Sequence, residues 1–270
     1  MSVSVGGFDF SNVQRNLALE AEGVKFPKTL KTGTTIVGVV FKDGVVLGAD
    51  TRATSGDTVA DKKCEKIHYM APNIRCCGAG TAADTEMLTL AISSQLTLLR
   101  MESGKQTRVI QALTALKRKL YRYQGHIGAA LVLGGVDAEG AFLATVAPHG
   151  STDRLPFVAM GSGSIAAMAV LESQYKDEMD VEAAKTVVRD AITAGIMNDP
   201  YSGSQVDMCV ITAKSHDMIF GEFVAQKRVE PKHIINFPKG TAPVLREEIV
   251  KLVDVTTTEV DPDAAPAAAA

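Results

Sequence analysis

Thr32-Gly33-Thr34-Thr35-Ile36-Val37-Gly38-Val39-Val40 marks an abrupt change in the character of the chain. From Thr34 onward the stretch is β-branched apart from Gly38, and it reads as a buried strand. Lys42-Asp43-Gly44 carries an Asp-Gly hairpin signal, and Val45-Val46-Leu47-Gly48-Ala49 returns as the second strand. On the other side of the border, residues 1–33 carry Gly6-Gly7, scattered polar residues and no sustained period. They read as an irregular leader.

Further along, a short strand near Asn73–Cys77 leads through Gly78-Ala79-Gly80. Two helices are expected at about Ala82–Leu99 and Arg108–Tyr123. The second has Val109, Leu113, Leu116 and Leu120 on one face and Lys117, Arg118 and Arg122 on the other. Ile127–Leu133 and Ala141–Val146 are apolar runs joined by a turn. Gly161-Ser162-Gly163-Ser164 opens a third helix ending near Tyr175, and a fourth runs from about Val181 to Met197. Val206–Ala213 and Met218–Phe223 are the last expected strands. Strands in hairpin groups and helices in pairs point to α+β layers with antiparallel sheets rather than βαβ repeats. After Ala225 the chain turns basic and contains prolines, and it ends in Asp261-Pro262-Asp263-Ala264-Ala265-Pro266 and four alanines. That end reads as low-complexity and disordered.

The 270 residues, 46% of them hydrophobic, suffice for one large domain with a full core. A formal net charge of −3 lacks the basic excess that nucleic acid or an acidic membrane calls for. No apolar run approaches the ~18 residues needed to span a bilayer, and the N-terminus lacks the pattern of a secretory signal. The expectation is a soluble protein of cytoplasm or nucleus. The four cysteines (Cys64, Cys76, Cys77, Cys209) have neither zinc-site spacing nor the density of a disulfide framework, so they read as reduced, buried thiols. No metal or cofactor is expected.

No GxSxG elbow or HExxH pair occurs, and Gly161-Ser162-Gly163-Ser164 lacks the lysine of a phosphate loop. The five histidines are scattered without ligand spacing. Most threonines here are strand formers. Thr34 differs by position, because it follows Gly33 at the leader border. Were the Gly33–Thr34 bond cut, Thr34 would carry a hydroxyl and a free α-amine of pKa near ~8, a base that works without histidine.

The stretch from Thr32 to Gly38, leading to Gly48-Ala49-Asp50-Thr51-Arg52-Ala53, resembles the start of a proteasome β subunit. The resemblance continues through Lys66-Ile67, Cys76–Asp84, Tyr123-Gln124-Gly125 and Gly161–Ser164 to Asn198-Asp199 and Ser202-Gly203-Ser204. It covers about residues 32–213 and is strongest to the trypsin-like catalytic class of eukaryotes. It implies an N-terminal nucleophile hydrolase fold: a four-layer α/β/β/α sandwich of two antiparallel sheets between helix layers.

Residue by residue, the resemblance implies Thr34 as the nucleophile of a threonine protease and Gly33 as the residue removed before it by autocatalytic cleavage. It implies Asp50 and Lys66 as the ion pair beside Thr34, and Ser162, Asp199 and Ser202 as the group orienting the amine. The Gly80 N–H is implied as the oxyanion donor. None of these positions departs from the family's pattern. A pocket lined by Ala53, Cys64, His68, Gly78, Ala82 and Glu86 is implied for the residue before the scissile bond, with Glu86 favouring cleavage after basic residues.

The implied organisation is a propeptide at 1–33 (a zymogen form), a hydrolase domain at 34–223, a C-terminal arm on a neighbouring subunit at 224–253, and a tail at 254–270. The implied partners are α and β subunits in stacked seven-membered rings, unfolded substrates of ubiquitin-dependent degradation, assembly chaperones and regulatory caps. Two other readings stay in view at this stage: a structural ring member without catalysis, and a free-standing amidase.

Overall fold

The computed structural model describes residues 11–24, 33–223, 240 and 244–257. The chain divides into two units, residues 1–226 and 227–270. The first holds every described helix and strand.

The Ile36–Phe41 strand (β1) turns through Lys42-Asp43 into Gly44–Asp50 (β2), with Phe41 opposite Gly44 and Ile36 opposite Ala49. This is the hairpin expected from Asp43-Gly44. Phe157–Met160 (β10), Gln205–Thr212 (β11) and His216–Phe223 (β12) complete a five-stranded antiparallel sheet in the order β10-β1-β2-β11-β12. A second five-stranded antiparallel sheet runs Ile67–Ala71 (β5), Ile74–Gly80 (β6), Ala129–Asp137 (β7), Gly140–Val146 (β8) and Thr152–Arg154 (β9) in chain order. Ala53–Ser55 (β3) and Thr58–Asp61 (β4) form a small ribbon.

The helices lie on the outer faces. Side chains alternate across a strand, so each central strand feeds two cores. Val37, Val39 and Val46 pack with Leu171, Val188 and Ile192, residues of the helices Ser164–Gln174 (α4) and Val181–Asn198 (α5). Their neighbours Ile36, Val45 and Leu47 face the other way, onto Val132 and Leu143 of the second sheet. Leu131 and Leu133 then meet Leu88 and Ile92 of Ala82–Ser103 (α2), and Leu116 and Leu120 of Val109–Arg122 (α3). Burial on both faces is why these strands are continuously apolar rather than alternating. The result is helices, sheet, sheet, helices. Each buried Leu or Ile contributes roughly 1.5–3 kcal/mol relative to exposure.

The helix ends obey local chemistry. Asp180 caps α5, its carboxylate accepting from Ala183 N at 2.8 Å. Gly104 ends α2 in the left-handed region at φ 63°; α2 therefore runs to Ser103, four residues past the expected Leu99.

The sequence reading needs correction at the leader. It is not irregular throughout: Ser11–Ala21 is a helix (α1), and none of its residues is buried. A helix that buries nothing leaves no strong apolar stripe to read, which is why the period escaped notice. Strands β3, β4, β5, β9 and β10 were also not read as such; all five have three to five residues. At that length period and composition say little, and pairing decides. Within the second unit, residues 244–257 form neither helix nor strand, and Val244, Leu245, Ile249 and Leu252 are exposed. The remainder of the expected arm, and the tail beyond residue 257, lie outside the described residues.

Candidate active site

Three chain segments converge at the start of β1. Asp50 ends β2, Lys66 precedes β5, and Gly33-Thr34 leads into β1. The Gly33–Thr34 peptide bond is intact, so the Thr34 nitrogen is an amide.

Asp50 is fully buried, and both its oxygens are engaged. Oδ1 accepts from Thr35 N at 2.9 Å and from Lys66 Nζ at 2.8 Å. Oδ2 accepts from Arg52 N at 3.2 Å and Gly203 N at 3.1 Å. A buried carboxylate is tolerable only when saturated in this way. Lys66 is itself only 7% exposed. Its ammonium donates to Asp50, to Thr34 Oγ at 3.2 Å and to Gly33 O at 3.3 Å. All three of its protons therefore have acceptors. The Thr34 hydroxyl donates to Gly33 O at 2.7 Å. The hydroxyl oxygen thus sits beside a fixed cation, and the carbonyl before Thr34 receives two donors.

On the other side of Thr34 lies a second network. Thr34 N donates to Ser162 Oγ at 3.0 Å, and Ser162 donates onward to Asp199 Oδ2 at 2.5 Å. Ser202 Oγ donates to the same oxygen at 2.7 Å and accepts from Thr35 Oγ at 2.8 Å. Tyr201 N reaches Asp199 Oδ1 at 3.1 Å. Burial pushes the Asp199 carboxyl up, but the hydrogen bonds from Ser162, Ser202 and the backbone outweigh it and hold the group below the usual carboxylate range. Asp199 ends α5 and Ser162 lies between β10 and α4, so the helix pair fixes the position of both.

Beside Thr34 opens a cavity of about 420 Å³. Its lining includes Gly33, Thr34, Lys66 and Gly80, and with them all six residues expected to line the pocket: Ala53, Cys64, His68, Gly78, Ala82 and Glu86. Gly80 ends β6 at φ +114°, and a Cβ there would lie 2.2 Å from Gly128 O. Only glycine fits that turn of the backbone. Burial lowers the His68 imidazole below its ordinary value, with Glu65 and Glu86 pulling the other way. Burial likewise raises the Cys64 thiol, against the opposing charge of Lys66. Among the described residues no cluster of His, Cys, Asp and Glu is arranged to hold a metal, and no helix is long and apolar enough to cross a membrane. The cysteines are unpaired; Cys76, Cys77 and Cys209 are buried, and burial pushes the Cys76 thiol up to about 12.

Every candidate site residue singled out in the sequence therefore lies in one of the two networks or lines the cavity beside Thr34. Two residues of the site were passed over. Arg52 donates from Nη1 to Pro200 O at 2.9 Å and lies over Gly203, where a Cβ would sit 2.2 Å from its Cζ. It braces the loop that carries Asp199 and Ser202. Tyr201 abuts Gly33. Arg52 stands inside a motif block quoted above and Tyr201 between two of them, but the side-chain packing that gives them a role is not local in sequence.

A four-layer sandwich with a buried Lys–Asp pair beside the threonine that leads into β1 defines a class that comparison makes definite. The family model for the proteasome subunit matches residues 30–211, and the chain belongs to the proteasome β subunits. It is 56% identical over 247 residues to the proteasome subunit beta type-7 of Dictyostelium discoideum, covering 92% of this chain and 93% of that one. It is 62% identical over 211 residues to the beta type-7-B subunit of Arabidopsis thaliana, covering 78% and 77%. The beta type-10 subunit of Mus musculus is 50% identical over 246 residues, covering 90% of each.

Proposed function

We propose that this chain is a catalytic β subunit of the proteasome core particle, a threonine endopeptidase that matures by cutting its own Gly33–Thr34 bond and prefers to cleave after basic residues. The observation that carries this reading is the placement of Lys66 Nζ, which contacts Asp50, Thr34 Oγ and Gly33 O at once.

In self-cleavage, Thr34 Oγ adds to the Gly33 carbonyl carbon while its proton passes to the Thr34 nitrogen. Lys66, already donating to Gly33 O, stabilises the developing oxyanion. The C–N bond breaks to give an ester on Thr34 Oγ. Water hydrolyses the ester, leaving a Gly33 carboxylate and a free Thr34 amine. That amine inherits the Ser162 contact, which holds it in place as a base of pKa near ~8.

In peptide hydrolysis the amine takes the hydroxyl proton, and Lys66 favours the alkoxide. Oγ adds to the substrate carbonyl, whose oxygen meets the Gly80 N–H. The protonated amine then gives its proton to the departing peptide nitrogen, and water releases the acyl group. One oxyanion donor is typically worth ~10²–10³ in rate. The Glu86 carboxylate on the cavity wall is the partner for a Lys or Arg head, and Gly78 leaves room for its stem. On this reading the subunit sits among α and β subunits in stacked seven-membered rings in cytoplasm and nucleus. There it degrades unfolded chains, and its C-terminal arm lies on a neighbour.

The test is the intact mass and N-terminal sequence of this subunit in the purified particle. The expected chain begins at Thr34, and Thr34→Ala keeps residues 1–33. A Thr34→Ala chain that still matures at Gly33–Thr34 sinks the mechanism.

A further inference from the structure

Thr35 stands between the two networks around Thr34 and bonds to both. Its side chain is fully buried. Its N–H donates to Asp50 Oδ1 at 2.9 Å, the oxygen that also holds the Lys66 ammonium. Its carbonyl accepts from Asp50 N at 3.0 Å. Its hydroxyl donates to Ser202 Oγ at 2.8 Å. The Thr35 backbone is thus tied to the Lys66 side of the site, and the Thr35 side chain to the Asp199 side. A buried position leading into a strand is served equally well by Val, which has no polar atom to satisfy. The hydroxyl is accounted for by its bond to Ser202.

That bond sets a direction. A hydroxyl has one proton to give. Ser202 Oγ accepts from Thr35, so its own proton goes to Asp199 Oδ2 at 2.7 Å. Ser162 gives its proton to the same oxygen while accepting from Thr34 N. Two runs of hydrogen bonds therefore converge on Asp199, one from Thr34 through Ser162 and one from Thr35 through Ser202. Buried runs of this kind polarise their members and hold them in place. The fold fixes the Thr35 side chain in turn. A Cβ on Gly163, which precedes α4, would lie 2.0 Å from Thr35 Oγ. A Cβ on Gly195 of α5 would lie 2.4 Å from the same oxygen and 2.6 Å from Cγ2. The two glycines make a slot for Thr35, and its β-branched side chain has few rotamers to begin with.

We propose that Thr35 is a positioning residue for the Thr34 amine: its hydroxyl orients Ser202 onto Asp199, and Asp199 in turn holds Ser162 against the amine. The proposal rests on the function proposed above, in which that amine is the base. The Thr35 hydroxyl touches no reacting atom and acts only through Ser202 and Asp199.

The experiment compares assembled particles carrying the unaltered chain, Thr35→Val, Thr35→Ser or Thr35→Ala. Each is read for the subunit's N-terminal sequence, for kcat and KM toward a peptide with Arg before the scissile bond, and for the Ser202 Oγ position in a high-resolution map. Val keeps the shape and loses the hydroxyl, Ser keeps the hydroxyl and loses the methyl, and Ala loses both. For Val and Ala, kcat should fall about five- to tenfold, the worth of one neutral hydrogen bond, with KM little changed. Ser should restore most of it. All variants should still begin at Thr34, because the backbone bonds to Asp50 remain and the cut is made once per chain. Undiminished kcat in Thr35→Val, a Thr35→Ser chain as slow as Thr35→Ala, a loss confined to KM, or retention of residues 1–33 overturns the proposal. If Thr35→Val does not assemble, the Ser and Ala chains decide, since they differ only in the hydroxyl. An unaltered chain that keeps its leader or leaves the substrate uncut counts against the proposed function instead. The map then tests Thr35 by itself: Ser202 Oγ turned away from Asp199 in Thr35→Ala supports the positioning role, and an unmoved Oγ overturns it.

Discussion

Gly33 and Tyr201 touch so closely that a Cβ on Gly33 would lie 2.0 Å from the Cβ of Tyr201 and 2.5 Å from its carbonyl carbon. The residue before Thr34 is therefore glycine for a steric reason, besides any ease it lends to attack on its carbonyl. Gly33→Ala must push the loop at Tyr201 or displace the Gly33 carbonyl from Lys66. Precursor processing, followed by intact mass in a pulse-chase, should slow by about tenfold or more, since each 1.36 kcal/mol of lost alignment is a factor of ten. Processing at the normal rate would show that the contact carries no constraint.

Lys66→Ala removes the cation at Thr34 Oγ and leaves the fully buried Asp50 without its counterion. Peptidase activity of the assembled particle toward a basic substrate should fall by about 10²–10⁴, the range for a positioned proton-transfer group. An uncompensated buried charge also costs about 3–5 kcal/mol, so the free subunit's melting temperature should drop as well. Lys66→Met with Asp50→Asn should recover part of the stability and none of the activity.

Arg52→Ala tests the brace on the Asp199–Ser202 loop. It touches neither Thr34 nor Lys66, so substrate binding should change little while kcat falls. On the proposed mechanism the pH–rate profile should shift, because the Asp199–Ser202 loop would hold the Thr34 amine less firmly. A loss confined to KM would mean that Arg52 serves the pocket and not the loop.

Asp199 sets a pH dependence whose sign follows from its lowered pKa. A carboxyl with a folded pKa below its unfolded value of about 3.9 binds its proton more tightly when unfolded. Its contribution to stability is then present above that value and is lost as pH falls through the folded pKa. The stability difference between the native chain and Asp199→Asn should be full at pH 5–7 and shrink below about pH 3.9. Urea unfolding across that range measures it, and a difference that grows on acidification would contradict the assignment.

Glu86→Gln tests the expected preference. A hydrogen bond to a charged group is worth about 1.5–3 kcal/mol. The ratio of kcat/KM for Arg over Leu before the scissile bond should therefore fall about ten- to a hundredfold, with the Leu substrate little affected. An unchanged ratio would move the preference to other groups.

The layered α+β architecture could be read in the chain because the central strands are buried on both faces. Ile36–Val40, Val45–Ala49 and Ala129–Leu133 are apolar at nearly every position, and α3 shows its buried face at helical spacing. Thr34 stood out by its place at the border of leader and core, and the motif blocks supplied Asp50, Lys66, Ser162, Asp199 and Ser202. The helix at Ser11–Ala21 and the short strands β3, β4, β5, β9 and β10 were not legible, because an element that buries nothing, or spans fewer than about six residues, leaves little periodic trace. Tertiary structure alone set Lys66 within 3.2 Å of Thr34 Oγ, laid Arg52 over Gly203 and pressed Tyr201 against Gly33. The sequence by itself determined which residues could be buried and which could do chemistry. Distances between residues tens to hundreds of positions apart were decided only when the two sheets packed, because that packing fixes where each strand end lies.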